Sequence, residues 1–78
     1  MVYLRGIIVP VKWDENGNVA GFGIETFDEN FYLIDGIEEV ARLKRLLREE
    51  VELGGDIQVI SSKKIISIKE IRILKACR

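Results

Sequence analysis

Aromatic residues on three successive predicted strands are the part of this sequence best suited to binding a ligand. They lie in the segments Val11-Lys12-Trp13, Gly21-Phe22-Gly23-Ile24 and Phe31-Tyr32-Leu33. Exposed aromatic rings can stack on the bases of single-stranded RNA or DNA, while nearby cations guide the phosphates. The candidate residues for such a site are Lys12, Trp13, Phe22, Phe31, Tyr32, Lys63 and Lys64.

The same aromatic residues also have a purely structural interpretation. Phe22 alternates with Ala20 and Ile24, so it belongs to the face of its strand that is expected to be buried. Of the neighbouring Phe31 and Tyr32, only one is expected to be exposed. The same strands and loops carry acidic residues that would repel phosphates, namely Asp14, Glu15, Glu25, Asp28 and Glu29. Any binding of nucleic acid is therefore expected to be weak and sensitive to salt.

Residue types for catalysis or metal binding are scarce. The chain has no His and a single Cys, Cys77, so zinc sites and His-assisted nucleophiles lack their components. Residues 14–18 have the Asp-x-Asn-x-Asn spacing of a calcium loop, but the Gly expected next is absent and a hairpin explains the segment better. Paired carboxylates fall in predicted turns and helix ends, where no desolvated pocket would shift a pKa. We expect no enzyme activity, no metal and no cofactor.

The composition predicts one small β-rich domain spanning residues 1–78. Of the 78 residues, 47% are hydrophobic and one is Pro. The lone Cys77 excludes an intramolecular disulfide, which favours a reducing compartment. No apolar run approaches the ~20 residues of a membrane span, and the first residues lack the pattern of a signal peptide. We expect a cytoplasmic protein without membrane contact.

Charge is divided unevenly along the chain. The first 39 residues hold eight acids and two bases, and the remaining 39 hold ten bases and five acids, so the halves carry −6 and +5. In a closed sheet the halves interleave, and the asymmetry then needs no functional reason. It could also favour head-to-tail self-association.

The element pattern begins with three strands. The first covers Val2–Trp13, where Gly6 and Pro10 indicate a bent strand that serves two parts of a sheet. A hairpin loop over residues 14–18 leads to a second strand over Val19–Thr26. A turn over residues 28–30 precedes a short third strand over residues 31–34.

A helix is predicted next, because Asp35 and Glu38 match a capping box. Its apolar stripe consists of Ile37, Val40, Leu43, Leu47 and Val51, and its end is predicted near Glu49 or Glu50. The basic residues Arg42, Lys44, Arg45 and Arg48 are best interpreted as a solvated helix face, with a surface for an acidic partner or nucleic acid as the alternative.

Two strands complete the chain and decide the fold. Residues 51–53 and 57–60 predict a fourth strand interrupted at Gly54-Gly55, and residues 65–68 and 71–73 predict a fifth. The order β-β-β-α-β-β is that of a mainly β fold with one helix, the five-stranded OB-fold Greek-key barrel. An SH3-like barrel is the alternative, but it has no good position for the helix.

Two family resemblances accompany this pattern. The whole chain resembles small stand-alone bacterial OB-fold proteins of unassigned function, through Trp13-Asp14-Glu15-Asn16-Gly17, Thr26-Phe27-Asp28-Glu29 and Val51-Glu52-Leu53-Gly54-Gly55. The aromatic segments named first resemble part of the cold-shock domain, an OB-fold that binds single-stranded RNA and DNA on strands 2 and 3. The match departs from that family at Ala20 and Leu33, where it has a basic residue and His, and cold-shock domains lack the predicted helix.

Two functional hypotheses follow. The first is a non-enzymatic OB-fold module that binds single-stranded nucleic acid weakly by aromatic stacking on strands 2 and 3. The second is a protein-interaction module or a homo-oligomerising structural protein. OB-folds serve both roles, so the fold does not separate the two hypotheses.

Overall fold

The computed structural model describes residues 1–35 and 40–75, and its elements follow the predicted order. The elements are β1 (Val2–Trp13), β2 (Val19–Thr26), β3 (Phe31–Asp35), α1 (Val40–Arg45), β4 (Glu50–Ile60) and β5 (Lys63–Lys75). The chain is thus mainly β with one short helix. No helix among the described residues has both the length and the apolar character needed to cross a membrane.

The five strands form one sheet that closes on itself in a ring. The neighbours run in the order β1-β2-β3-β5-β4, and β4 pairs with β1 to complete the circuit. All pairs are antiparallel except β3 with β5, which is parallel. Hydrogen bonding around the ring gives every strand two neighbours over part of its length.

β1 bends so that it can pair with two different strands. Its first half, from Val2 to Ile7, pairs with β4, and its second half, from Gly6 to Trp13, pairs with β2. At the bend a Cβ on Gly6 would lie 2.1 Å from the carbonyl oxygen of Glu25, so only glycine lets the backbones approach this closely. The predicted bent first strand is confirmed.

The hairpin loop between β1 and β2 is also confirmed. Asp14 accepts hydrogen bonds at Oδ1 from the backbone N–H groups of Asn16 and Asn18, each at 2.9 Å. Gly17 has a φ of 83°. The Asp14 carboxylate therefore stabilises the loop in which it lies, as the hairpin interpretation of this segment requires.

The core lies inside the ring and under the helix. Its buried members come from β1, β2, α1, the turn after α1, β4 and β5: Ile8, Phe22, Ile24, Leu43, Leu46, Val51, Leu53 and Ile66. Leu43 of α1 and Leu46 of the turn after it belong to this core cluster, and α1 contacts β2. The apolar alternation predicted for β2 is confirmed by the burial of Phe22 and Ile24.

The helix is shorter than predicted, and its expected end near Glu49 or Glu50 is wrong. α1 ends at Arg45, after which Leu47 forms an isolated bridge with Ile8 and the Arg48 N–H donates to the Ile8 carbonyl at 2.8 Å. Arg48 adopts a φ of 66°, which an α-helix does not allow. The backbone here bonds to β1 instead of to the preceding helical turn. The predicted capping box runs from Asp35 to Glu38, and of these residues 36–38 lie outside the described residues.

β4 is one strand of 11 residues instead of two short ones. The register against β5 shifts between Gly54 and Gly55, where Lys69 of β5 is the extra residue of a bulge, so the predicted interruption is a local irregularity. Ser61 and Ser62 then form a two-residue turn, with φ values of 50° and 66°, into β5.

Candidate binding groove

A shallow groove of about 380 Å³, the cross-strand groove, is lined by residues of neighbouring strands. Its lining comes from all five strands: Val11 and Lys12 from β1, Gly21 and Phe22 from β2, Leu33, Ile34 and Asp35 from β3, Gln58 and Ile60 from β4, and Ile65 from β5. The groove lies between the bases of the β1–β2 and β4–β5 hairpins.

The strand register explains why these residues line one groove. Leu33 of β3 pairs with Ile65 of β5, which in turn pairs with Gln58 of β4. On the other side, Ile34 pairs with Phe22 of β2. Because paired residues sit side by side across a sheet, this row of four strands spans three strand spacings, or about 14 Å.

The floor of the groove is mainly aliphatic. Leu33 and Ile65 lie at its centre, and Ile60, 53% exposed, lies at the β4 end. Lys12 and Asp35 provide one positive and one negative charge, and Gln58 provides a neutral amide. Such a surface can take up apolar side chains while a few polar groups orient the bound segment.

The predicted aromatic residues are separated in the structure. Trp13 is 55% exposed at the end of β1, opposite Val19, whereas Phe31 is 40% exposed at the start of β3, opposite Glu25. The two β2 partners, Val19 and Glu25, are six positions apart, which corresponds to about 20 Å along a strand. Neither ring lines the groove, so the two rings do not form one continuous stacking surface.

Phe22 is a core residue, and its assignment to a stacking site is wrong. Only 3% of its surface is exposed, and it packs with Ile24 and Ile66 in the core cluster. A buried ring has no free face for a base. The alternation of β2 had already favoured this burial, since Phe22 shares a face with Ile24.

As predicted, only one of the neighbouring residues Phe31 and Tyr32 has an exposed ring, and it is Phe31. Tyr32 is half-buried against the core, and the ammonium of Lys64 lies 4.8 Å from its ring centroid. Lys64 also donates to Oδ1 of Asn30 at 3.1 Å. This cation–π contact and hydrogen bond hold Lys64 against the protein. Lys63 is exposed beside Ile60, to which it is paired.

An acidic pocket of about 370 Å³ surrounds Phe31. Its lining comprises Glu25, Thr26, Glu29, Asn30 and Phe31. Next to it, the Thr26 hydroxyl donates to the Asp28 carboxylate. This bond, and then one from the Asn30 side chain, lower the pKa of Asp28 from its ordinary value. The predicted acidic character of this region is thus present in the folded chain.

A charged network on the outer face of β1, β4 and β5 was not predicted. Glu52 accepts from Arg5 Nε at 2.9 Å and lies 3.7 Å from Arg72 NH1. Tyr3 donates to Glu70 at 3.3 Å, and the negative charge of Glu70 raises the pKa of Tyr3. Arg5, Glu52 and Arg72 form a row only because β4 lies between β1 and β5. The sequence signals this network only by charged residues at alternate positions, Glu50 and Glu52 in β4 and Glu70 and Arg72 in β5.

No group of three or more metal-ligating side chains occurs within the described residues. The basic side chains Arg42, Lys44, Arg45 and Arg48 are all exposed, as expected of a solvated face. Comparison with protein-family models, curated proteins and solved structures finds no match to the chain.

Proposed function

We propose that the chain is a non-catalytic OB-fold module that binds an extended, apolar polypeptide segment in the cross-strand groove. The OB-fold assignment is supported by the closed ring of five strands and by the helix between β3 and β4. OB-folds bind their ligands on the face of strands 2 and 3, between the β1–β2 and β4–β5 loops. The groove is lined by residues of β2 and β3 and of both hairpins, which supports this assignment.

The aliphatic floor is the observation that carries the proposal. In the lining Ile60 is exposed and Leu33 and Ile65 are half-buried, whereas Phe22, the aromatic residue among the described lining residues, is buried. Branched aliphatic surfaces accept apolar side chains by burial, whereas single-stranded nucleic acid needs an exposed ring for each stacked base.

The charge around the groove supports the same ligand class. Among the described residues, the groove and the two hairpin loops beside it carry as many carboxylates as lysines, Asp14, Glu15 and Asp35 against Lys12, Lys63 and Lys64, so they have no excess of positive charge. Phosphates gain affinity from a cationic surface. A neutral polypeptide needs no such surface.

Single-stranded nucleic acid is the second candidate, because Trp13 and Lys63 are exposed near opposite ends of the groove and Lys12 lies in its lining. A short strand lying along the groove could stack one base on Trp13 and place phosphates near the two lysines. Its affinity would fall steeply with added salt.

One pair of variants separates the two ligand classes. We expect selection from a phage-displayed library of random peptides to yield apolar, extended sequences that bind the wild type and lose at least tenfold in affinity on Ile60→Ser. Ile73→Ser is the matched control, because Ile73 has a similar exposure of 54% and lies outside the groove.

The nucleic-acid arm uses amide NMR with short mixed RNA and DNA oligonucleotides at low and high salt. The second candidate would replace the proposal if the oligonucleotides cause salt-sensitive shifts at Trp13, Lys12 and Lys63 and no selected peptide loses affinity on Ile60→Ser. Peptides that bind Ile60→Ser as well as the wild type would contradict the groove as the site.

A further inference from the structure

The last residues of β4 form an open sheet edge. β4 pairs with β5 along its whole length, but its pairing with β1 ends at Gly55, opposite Val2. Among the described residues, no strand pairs with residues 56–60 on the side away from β5. Val59 is 66% exposed. Residues 57–60, which read Ile-Gln-Val-Ile, include no charge, proline or glycine.

Such an edge is unusual, because proteins normally protect open edges with charged residues, prolines or bulges. The bulge opposite Gly54 and Gly55 lies on β5, at Lys69, and the register of β4 residues 56–60 beyond it is regular. A regular, uncharged, β-branched edge is a template for the addition of another strand.

The turn geometry identifies which backbone groups are open. Ile60 and Lys63 flank a two-residue turn, where the flanking residues form a hydrogen-bonded pair. Because such pairs alternate along an antiparallel ladder, Gln58 and Ile60 direct their N–H and C=O groups toward β5. Ile57 and Val59 then direct theirs toward the open edge.

We propose that a second copy of this chain covers this edge, by antiparallel pairing of the two β4 strands about a two-fold axis at Gln58. This register places Ile57 of each copy beside Val59 of the other, and all four open N–H groups and all four open C=O groups of the two strands are paired. A two-fold axis at Val59 would instead leave the Ile57 groups facing the turn at Ser61.

The side chains agree with the same register. Ile57 and Val59 fall on one face of β4, so the pairing joins apolar residues across the interface. On the other face Asp56 of one copy comes opposite Ile60 of the other, whose neighbour on β5 is Lys63. Opposite charges therefore lie in the same cross-strand row, twice per dimer.

The interface is small, and the dimer is accordingly weak. Two four-residue strands bury much less than the ~1,200 Å² at the lower end of standard interfaces. Because Gln58 and Ile60 also line the groove, the two-fold axis would set the grooves of the two copies end to end. The pairing is made by the open edge of β4 and does not depend on which ligand the groove takes.

The test combines sedimentation with amide hydrogen exchange over about a hundredfold range of protein concentration, as a weak interface requires. We expect the mass to double at high concentration and the Ile57 and Val59 amides to become protected at least tenfold. Val59→Lys and Val59→Pro should remain monomeric. Ile73→Lys, a matched substitution of an exposed residue on β5, should dimerise like the wild type.

Three results would overturn the proposal. A wild type that stays monomeric at the highest concentration has no such interface. A dimer in which the Ile57 and Val59 amides exchange freely uses another surface. Dimerisation by folded Val59→Lys and Val59→Pro would likewise exclude the β4 edge.

Discussion

The ring of Phe31 lies directly on the backbone of Gly23, on the outer face of the sheet. A Cβ at residue 23 would come within 2.5 Å of Phe31 Cζ, closer than any non-bonded carbon pair tolerates. The two residues are diagonal neighbours on β2 and β3, since Gly23 pairs with Leu33 and Phe31 with Glu25. The aromatic ring therefore covers the strand where a side chain is missing.

Gly23→Ala should consequently displace the ring and destabilise the fold by about 1–3 kcal/mol, the usual cost of overpacking. In a Phe31→Ala background the same substitution should cost less, because the remaining close contact, with the Tyr32 carbonyl oxygen at 3.1 Å, needs a smaller adjustment. Urea denaturation of the four proteins gives the coupling energy. Equal losses of stability in both backgrounds would show that the Phe31 ring is not what prevents a side chain at residue 23.

Phe22 and Trp13 should respond in opposite ways to truncation. Phe22→Ala removes a buried ring and should lower the free energy of unfolding by about 3–5 kcal/mol. Trp13→Ala changes a largely exposed residue and should cost about 0.5 kcal/mol or less. Thermal or urea denaturation measures both. A large loss of stability with Trp13→Ala would mean that this ring packs against the protein and is not available to a ligand.

Asp28 should make the stability of the folded chain sensitive to acid. Its pKa is lowered in the folded chain, first by the Thr26 hydroxyl, so its contribution to stability is complete above its unfolded pKa of about 3.9. That contribution is lost as the pH falls through the lower folded value. Thr26→Val should raise the pKa of Asp28, which carboxyl ¹³C NMR titration would detect.

The matching stability measurement is denaturation at neutral and acidic pH. Asp28→Asn should be less stable than the wild type at neutral pH, and the difference should shrink on acidification. A difference that grows as the pH falls has the wrong sign for a carboxyl group with a lowered pKa.

Glu52 should matter more than other surface carboxylates, because its side chain is only 12% exposed and lies between two arginines. Glu52→Gln should cost about 1 kcal/mol, the upper part of the range for surface ion pairs, and added salt should reduce the difference. Glu70→Gln, which affects the bond to Tyr3, is the control and should cost less. Equal losses would indicate that the Arg5–Glu52–Arg72 row adds nothing beyond isolated pairs.

Local patterns in the sequence were sufficient to predict most strands. Alternation in Val19–Thr26 gave both the strand and its buried face, and Gly6 with Pro10 gave the bend in β1. The helix end was missed because it depends on a contact with Ile8, almost 40 residues earlier in the chain. Propensity and periodicity carry no information about such a contact.

The candidate groove was missed for a related reason. Leu33 and Ile65 form its floor only because β3 and β5 pair in parallel, and the exact register decides which side chains are neighbours. The stacking hypothesis assumed that aromatic residues on neighbouring strands lie together. The register instead places Trp13 and Phe31 at opposite ends of β2.

The division of β1 between two partners has a consequence for the rate of folding. Its first half pairs with a strand about 50 residues away, and its second half pairs with the strand that follows it. The β1–β2 hairpin can form early from local contacts, whereas closing the ring requires a long loop whose entropy is lost before the new contacts form. Ring closure is therefore expected to limit the folding rate, and substitutions along the β1–β4 seam should slow folding more than those in the β1–β2 hairpin.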